Sequence, residues 1–256
     1  MFLTRSERYE YRLYRRNRRR RRLALILAVA VILIAVAAIR HATLAQPARH
    51  KNAVTARPSR APAEHTSPRA PGKVAPSGGL SWTDFHGIEL PVSAQDGPHH
   101  VSGGLAWGFS DTRQGALLAA VNIAVRTAAQ WGPAIYQPTI RNQVTGANAG
   151  TLLRADTSQY AALRAAAHVR PGQPAGRGDA IETAYRFASY AAGSATVDIV
   201  TAGPGAAATT VLAVTPIQVI WLQGDWRVVA PRDGNWASSA TTITSLTGYT
   251  TFPDER

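Results

Sequence analysis

Trp107–Pro133 reads WGFSDTRQGALLAAVNIAVRTAAQWGP, and the fold of the chain turns on it. Asp111 with Gln114 three residues later resembles a capping box. Leu117, Val121, Ala124, Ala128 and Trp131 follow at alternating spacings of four and three, one apolar stripe of a helix. Asn122, Arg126 and Gln130 form a second, polar stripe. Gly132-Pro133 ends the pattern, because glycine suits the residue after a helix and proline cannot continue it. The stretch therefore predicts a helix of about twenty residues with one face laid on an apolar surface.

Outward to the C-terminus, Pro138 to Val144 predicts a short helix stopped by Gly146. A third helix is expected within Leu152–Val169, with Leu152, Leu153, Tyr160, Leu163 and Ala167 on its apolar face. Pro171, Gly172 and Pro174 close it. His168 falls in its last turn, where the helix dipole favours a cation, a structural position. After Gly178 the period changes to two. Ile181, Thr183, Tyr185 and Phe187 alternate with Glu182, Ala184 and Arg186. Thr196–Thr201 predicts a second strand. Thr209–Leu222 predicts a third, with Pro216 marking a bulge, edge or kink. Leu222-Gln223-Gly224-Asp225-Trp226 predicts a tight hairpin flanked by Trp221 and Trp226. The remaining tail, with Trp236, Leu246, Tyr249 and Phe252, could cover a sheet edge.

These elements predict an α+β domain: one long and two short helices packed on a curved antiparallel sheet of about four strands. Outward to the N-terminus the domain starts near Gly79. Trp82, Phe85, Ile88, Leu90 and Val92 mark ordered chain broken by Gly and Pro turns. His86, Asp96 and the pair His99-His100 lack a metal-ligand spacing and read as a solvated loop.

Residues 40–79 predict a disordered linker. Six Pro (47, 58, 62, 68, 71, 76) stand among Ala, Arg, Ser and Thr, too little apolar surface to offset ordering entropy. Extended, it could hold the domain on the order of 100 Å from its anchor. That anchor is Leu23–Ile39, LALILAVAVILIAVAAI, seventeen residues without charge or proline. As a helix it is about 26 Å long, close to the thickness of a bilayer core. Residues 1–22 hold ten Arg against Glu7 and Glu10, net +8, which keeps the N-terminus cytoplasmic and sends the domain outside. A cleaved signal peptide with Thr43-Leu44-Ala45 as its site is the competing reading. The apolar run is longer than usual for one, and Arg40-His41 intervene. The expected organisation is a cytoplasmic tail (1–22), a transmembrane helix (23–39), the linker (40–79) and an extracytoplasmic domain (80–256).

The formal charge of +13 resembles that of a nucleic-acid binder until it is divided. Residues 23–73 carry +6, and residues 74–256, with eleven Arg and twelve acids, carry −1. The folded part is near neutral. In the tail Arg15, Arg16, Arg18, Arg19, Arg20, Arg21 and Arg22 are the candidate contacts, either with anionic lipid or with the phosphates of DNA. The chain has no Cys, which excludes disulfides, thiolate metal sites and a Cys nucleophile. It also lacks GxSxG, HExxH and P-loop motifs.

The order of helices and strands resembles the nuclear-transport-factor-like, or cystatin-like, cone, and VIWLQGDWRVVAP (Val219–Pro231) is similar to that superfamily's last hairpin. A narrower resemblance rests on three runs. The first is Trp82, Gly87-Ile88-Glu89-Leu90-Pro91-Val92-Ser93 and Gly97-Pro98. The second is Trp107-Gly108-Phe109-Ser110-Asp111-Thr112 with Gly115-Ala116 and Ala119-Ala120. The third is Gly132-Pro133, Pro138-Thr139-Ile140 and Gln143-Val144-Thr145-Gly146. They resemble an uncharacterised family of single-pass membrane proteins from Streptomyces-type actinobacteria, over roughly Leu80–Pro231. The layout of tail, span, spacer and domain also resembles the inner-membrane assembly component of type IV secretion and conjugation machines, and membrane proteins associated with mammalian-cell-entry transporters.

Three functions are expected in order. The first is a non-enzymatic envelope scaffold that associates with itself or with other envelope proteins. The second is a module binding a small molecule, lipid or cell-wall ligand between helix and sheet. The third is an enzyme of the ketosteroid-isomerase type, for which Asp198 and Tyr185 are the residues to try. Strand alternation turns Asp198 outward, and the sequence calls for no cofactor or metal.

Overall fold

The structure is a computed structural model that describes residues 79–205 and 209–253. The tail, the apolar run Leu23–Ile39 and nearly all of the linker lie outside the described residues. Among the described residues no helix is long and apolar enough to cross a membrane.

The chain opens with two small hairpins. β1 (Ser81–Phe85) pairs with β2 (Ile88–Val92), and β3 (His100–Ser102) with β4 (Leu105–Trp107). Then come α1 (Arg113–Arg126), a 3-10 turn (Ala129–Trp131), α2 (Pro133–Gln143), β5 (Val144–Thr145) and α3 (Ala149–Ala166). Four longer strands follow: β6 (Ile181–Ala191), β7 (Ser194–Pro204), β8 (Thr210–Leu222) and β9 (Asp225–Val229). The C-terminal segment adds α4 (Trp236–Ser239), β10 (Thr241–Ile243) and β11 (Thr250–Thr251). The main sheet runs β11-β6-β7-β8-β9-β5, with β10 also paired to β8.

This corrects the expected architecture. A sheet of about four strands becomes one of seven, and its edge strand β5 is parallel to β9. The domain is sheet-rich and carries two further hairpins, so the cone is not the fold observed. β5, β10 and β11 span only two or three residues each. A period of two cannot be read over so short a run; these strands exist because an edge offers unpaired backbone groups to the chain passing it. The helix lengths are corrected as well. α3, expected to be short, is the longest helix among the described residues at 18 residues, and α1 has 14. α1 stops at Arg126 because Ala128 is extended (φ −64°, ψ 129°), which turns Trp131 beneath Phe85 and His86.

Thr112, not Asp111, caps α1: its Oγ1 accepts the Gly115 N–H at 2.9 Å. Nor does α1 have one buried face. Leu117, Leu118, Ala119, Ala120, Val121 and Ile123 are all buried, since β2 and α2 pack on α1 as well as the sheet. The polar stripe is therefore internal. Asn122 Nδ2 donates to the carbonyls of Pro91 and Leu118, and Arg126 Nη1 donates to Asn122 O and Oδ1. The Arg126 guanidinium lies 4.4 Å from the centre of the Phe85 ring.

His168 sits just beyond α3 with φ +54°. Its N–H donates to Ala165 O and the Val169 N–H to Arg164 O, the bonding pattern of a Schellman cap. In β6 the register shifts between Glu182 and Ala184 and again between Phe187 and Ser189, so the simple alternation breaks. Glu182 is buried where alternation placed it outward. At the β8–β9 turn Gln223 (φ +56°) and Gly224 (φ +78°) form a two-residue loop with positive φ at both positions. Pro216 lies on β8 between the residues paired with β10 (212–214) and those paired with β9 (219–222). It occupies the stretch where that side of β8 has no neighbouring strand, and a missing N–H costs nothing there.

Candidate functional site

The turns at one end of the sheet stand side by side. The β6–β7 hairpin closes at Ala191↔Ser194 and the β8–β9 hairpin at Leu222↔Asp225. The Trp221 N–H donates to Gly193 O at 2.8 Å, joining the two turns. Trp221 and Trp226 meet edge to face at 5.4 Å across the register.

Asp225 ties this end to the chain entering α1. Its Oδ1 accepts from the N–H groups of Phe109 (3.1 Å) and Trp226 (2.9 Å), and its Oδ2 from Gly108 N–H (3.0 Å). Arg227 Nη1 lies 3.6 Å from Oδ2. Trp226 Nε1 donates to Ser110 O. Thr112 Oγ1 donates to Asp96 Oδ1 at 2.6 Å, and Ser110 Oγ to Gln95 O. The loops before and after the β3–β4 hairpin are thus held rigidly against the sheet.

Exposed apolar side chains stand near that support. Among the described residues the exposed large apolar side chains are Val101, Trp107 (36%), Tyr190 (40%) and Leu222 (42%). Trp107 directly precedes Gly108, which Asp225 holds, and Leu222 is the register partner of Asp225. Tyr190 packs against Phe187 at 5.9 Å. The Arg113 guanidinium lies 4.3 Å from the Phe187 ring centre and 5.5 Å from that of Tyr190. Arg113 makes no ion pair among the described residues, so its charge rests on the Phe187 and Tyr190 rings, whereas Arg227 at the same end is paired with Asp225. His100 stacks on Trp107 at 5.2 Å.

The residues singled out from the sequence disperse. His86 stacks on Trp131 near the C-terminal end of α1, while Asp96 binds Thr112 at the N-terminal end, about 20 Å of helix away. Among the described residues no three His, Cys, Asp or Glu side chains group as a metal site would require. Asp198 and Tyr185 do not converge. Asp198 pairs in register with Arg186 and Tyr185 with Ile199, so they point to opposite faces of the sheet. Asp198 is bound by Arg186 at 2.6 Å and is nearly covered, rather than turned freely to solvent; that hydrogen bond raises the arginine's pKa. Tyr185 is buried against Phe252, and desolvation raises its pKa against the opposing effect of Arg113. Between helix and sheet, where a ligand cavity was expected, Leu117, Val121, Val197, Ile217, Val219 and Trp226 are buried in the core. The arginines 15, 16 and 18–22 lie outside the described residues.

Two ionisable groups are buried against the sequence reading: Arg126, read only as part of a polar stripe, and Asp156, not singled out. Arg126 is 1% exposed, its Nε has no hydrogen-bond partner, and burial lowers its pKa to about 10. Asp156 on α3 is 7% exposed, its Oδ2 has no partner, and desolvation raises its pKa to about 7. The signal for Asp156 was its spacing: it falls at i+4 from Leu152 and i−4 from Tyr160, on the apolar face.

A family model described as a domain of unknown function (DUF8175) matches residues 42–251. No curated protein and no solved structure matches the chain.

Proposed function

We propose a role for this chain, which belongs to the DUF8175 family: a non-enzymatic, single-pass membrane protein whose outer domain docks onto other proteins of the envelope. The observation that carries the reading is the hairpin end, where Arg113 lies over the exposed Tyr190, and where Trp107 and Leu222 stand exposed beside Gly108 and Asp225, which are hydrogen-bonded to each other. Rigid aromatic groups with an arginine are the composition of interface hot spots. Water does not reward this exposure. The apolar run Leu23–Ile39 and the arginines beside it motivate the anchor, with the N-terminus cytoplasmic. The partner is a second copy or another envelope protein, and the layout motivates a place in a DNA-transfer or secretion apparatus.

The test is site-specific photocrosslinking of the full chain in its native membranes. A crosslinker at Leu222 gives discrete protein adducts, whereas one at Ser158, exposed on α3, gives none. The double variant Trp107→Ser, Tyr190→Ser removes the Leu222 adducts while the fold persists by circular dichroism. A chain that shows no adduct at Leu222, or that is released from membranes by alkaline carbonate, removes the docking reading or the anchor, respectively.

A further inference from the structure

A second site lies away from the hairpin end, where β8 has no strand beside Pro216. There a cleft of about 230 Å³ opens between the sheet and the segment leaving β9. Thr196 and Gln218, paired in register, lie at its floor with Pro216, and Arg232, Trp236 and Ser239 form its far wall. Among the described residues no hydrogen bond or ion pair within the chain engages the side chains of Thr196, Gln218, Arg232 or Ser239. No Asp or Glu lines the cleft. Asp198, opposite Pro216 in register, is bound by Arg186, and Asp233, which follows Arg232 in the chain, does not line the cleft.

The far wall is fixed. Asn148 Nδ2 donates to Arg232 O, Gly234 N–H donates to Pro231 O, and Trp236 Nε1 donates to Thr127 Oγ1 at 2.9 Å. Asn235 Oδ1 caps the turn by accepting the Ala237 N–H. The recess is preformed, and it sets the exposed guanidinium of Arg232, without an ion pair among the described residues, beside the side chains of Thr196, Gln218 and Ser239. Pro216, Val229, Pro231 and Trp236 supply an apolar lining beside those groups.

We propose that this cleft binds a small carboxylate with an apolar body. Arg232 pairs with the carboxylate in its planar fork geometry, and Thr196, Gln218 and Ser239 complete the hydrogen bonds. The apolar body lies on Pro216 and Trp236. At about 230 Å³ the cleft is smaller than a drug-sized pocket, which limits its ligand to about amino-acid size. This inference is independent of the docking surface, which shares no residue with it.

The test is saturation-transfer NMR on the full chain in detergent, with N-acetylphenylalanine as probe and its uncharged amide as control. The acid gives a saturable signal at millimolar concentration, and the amide gives one at least fivefold weaker. Arg232→Gln and Gln218→Glu each abolish the difference between acid and amide with unchanged circular dichroism; the second sits on an exposed strand position and places a carboxylate in the cleft. Displacement by inorganic phosphate assigns the Arg232 position to oxyanions in general; persistence of the acid against phosphate assigns it to planar carboxylates. Equal signals from acid and amide, or a signal from the acid that Arg232→Gln leaves intact, overturn the proposal.

Discussion

Asp156→Asn isolates the cost of a buried carboxyl. Asp156 has no hydrogen bond to its Oδ2 and no cation beside it, and its pKa is raised to about 7 by desolvation alone. In the unfolded chain it returns to the ordinary value near 4. Between those two values the folded chain holds a proton that the unfolded chain has released. Stability contributed through this group is therefore greatest near pH 4, falls as pH rises, and is flat above about pH 7. A separation of about three pH units corresponds to about 4 kcal/mol, the upper bound of the loss. Asn is nearly isosteric with the protonated acid and cannot ionise. The variant should match the parent within about 1 kcal/mol near pH 4.5 and exceed it by about 2–4 kcal/mol near pH 8. Urea unfolding of both full-length proteins across that range, followed by circular dichroism, gives the difference free of every other titrating group. A difference that stays constant with pH refutes the reasoning, because it would mean that Asp156 ionises equally in both states.

Further substitutions test the packing and the staples. Gly115→Ala puts a Cβ 2.0 Å from the Ser110 carbonyl oxygen, so the chain entering α1 must move; a loss of about 3 kcal/mol or more is expected in thermal unfolding. Gly224→Ala forces a side chain into φ +78° at the β8–β9 turn and should cost about 1 kcal/mol by the same measurement. Thr112→Ala removes both the α1 cap and the bond to Asp96, an expected loss of about 2 kcal/mol in urea unfolding. Trp236→Phe keeps the ring but drops the bond to Thr127; about 1 kcal/mol should be lost.

The elements that the sequence announced were those whose signal is local. The turn Gln223-Gly224 between two Trp-bearing strands needs only its own residues to form. Gly132-Pro133, expected to end the long helix, instead opens α2, because α1 already ends at Arg126 where Ala128 turns extended. β10 and β11 are pairings of two or three residues with strands far away in the chain, Thr241 with Val214 and Thr250 with Tyr185, and no local pattern encodes them. The bulges of β6 defeated its alternation for a related reason, since a bulge is defined by the partner strand. The exposed cluster was equally hidden: an aromatic residue looks the same in sequence whether its ring is covered, as for Trp226, or bare, as for Trp107.

By itself the sequence determined the near-neutral charge of the folded part, the separate basic tail and apolar run, the absence of cysteine chemistry, and the punctuation of the chain by Gly and Pro. These are properties of composition and of neighbours a few residues apart. Only the tertiary structure decided that the polar stripe of α1 faces inward, that the sheet has seven strands, that Asp225 holds the hairpin end, and that Arg232 meets Thr196 and Gln218 in one cleft. Each of those depends on which distant segment covers a given face, and burial is a property of the whole packed chain.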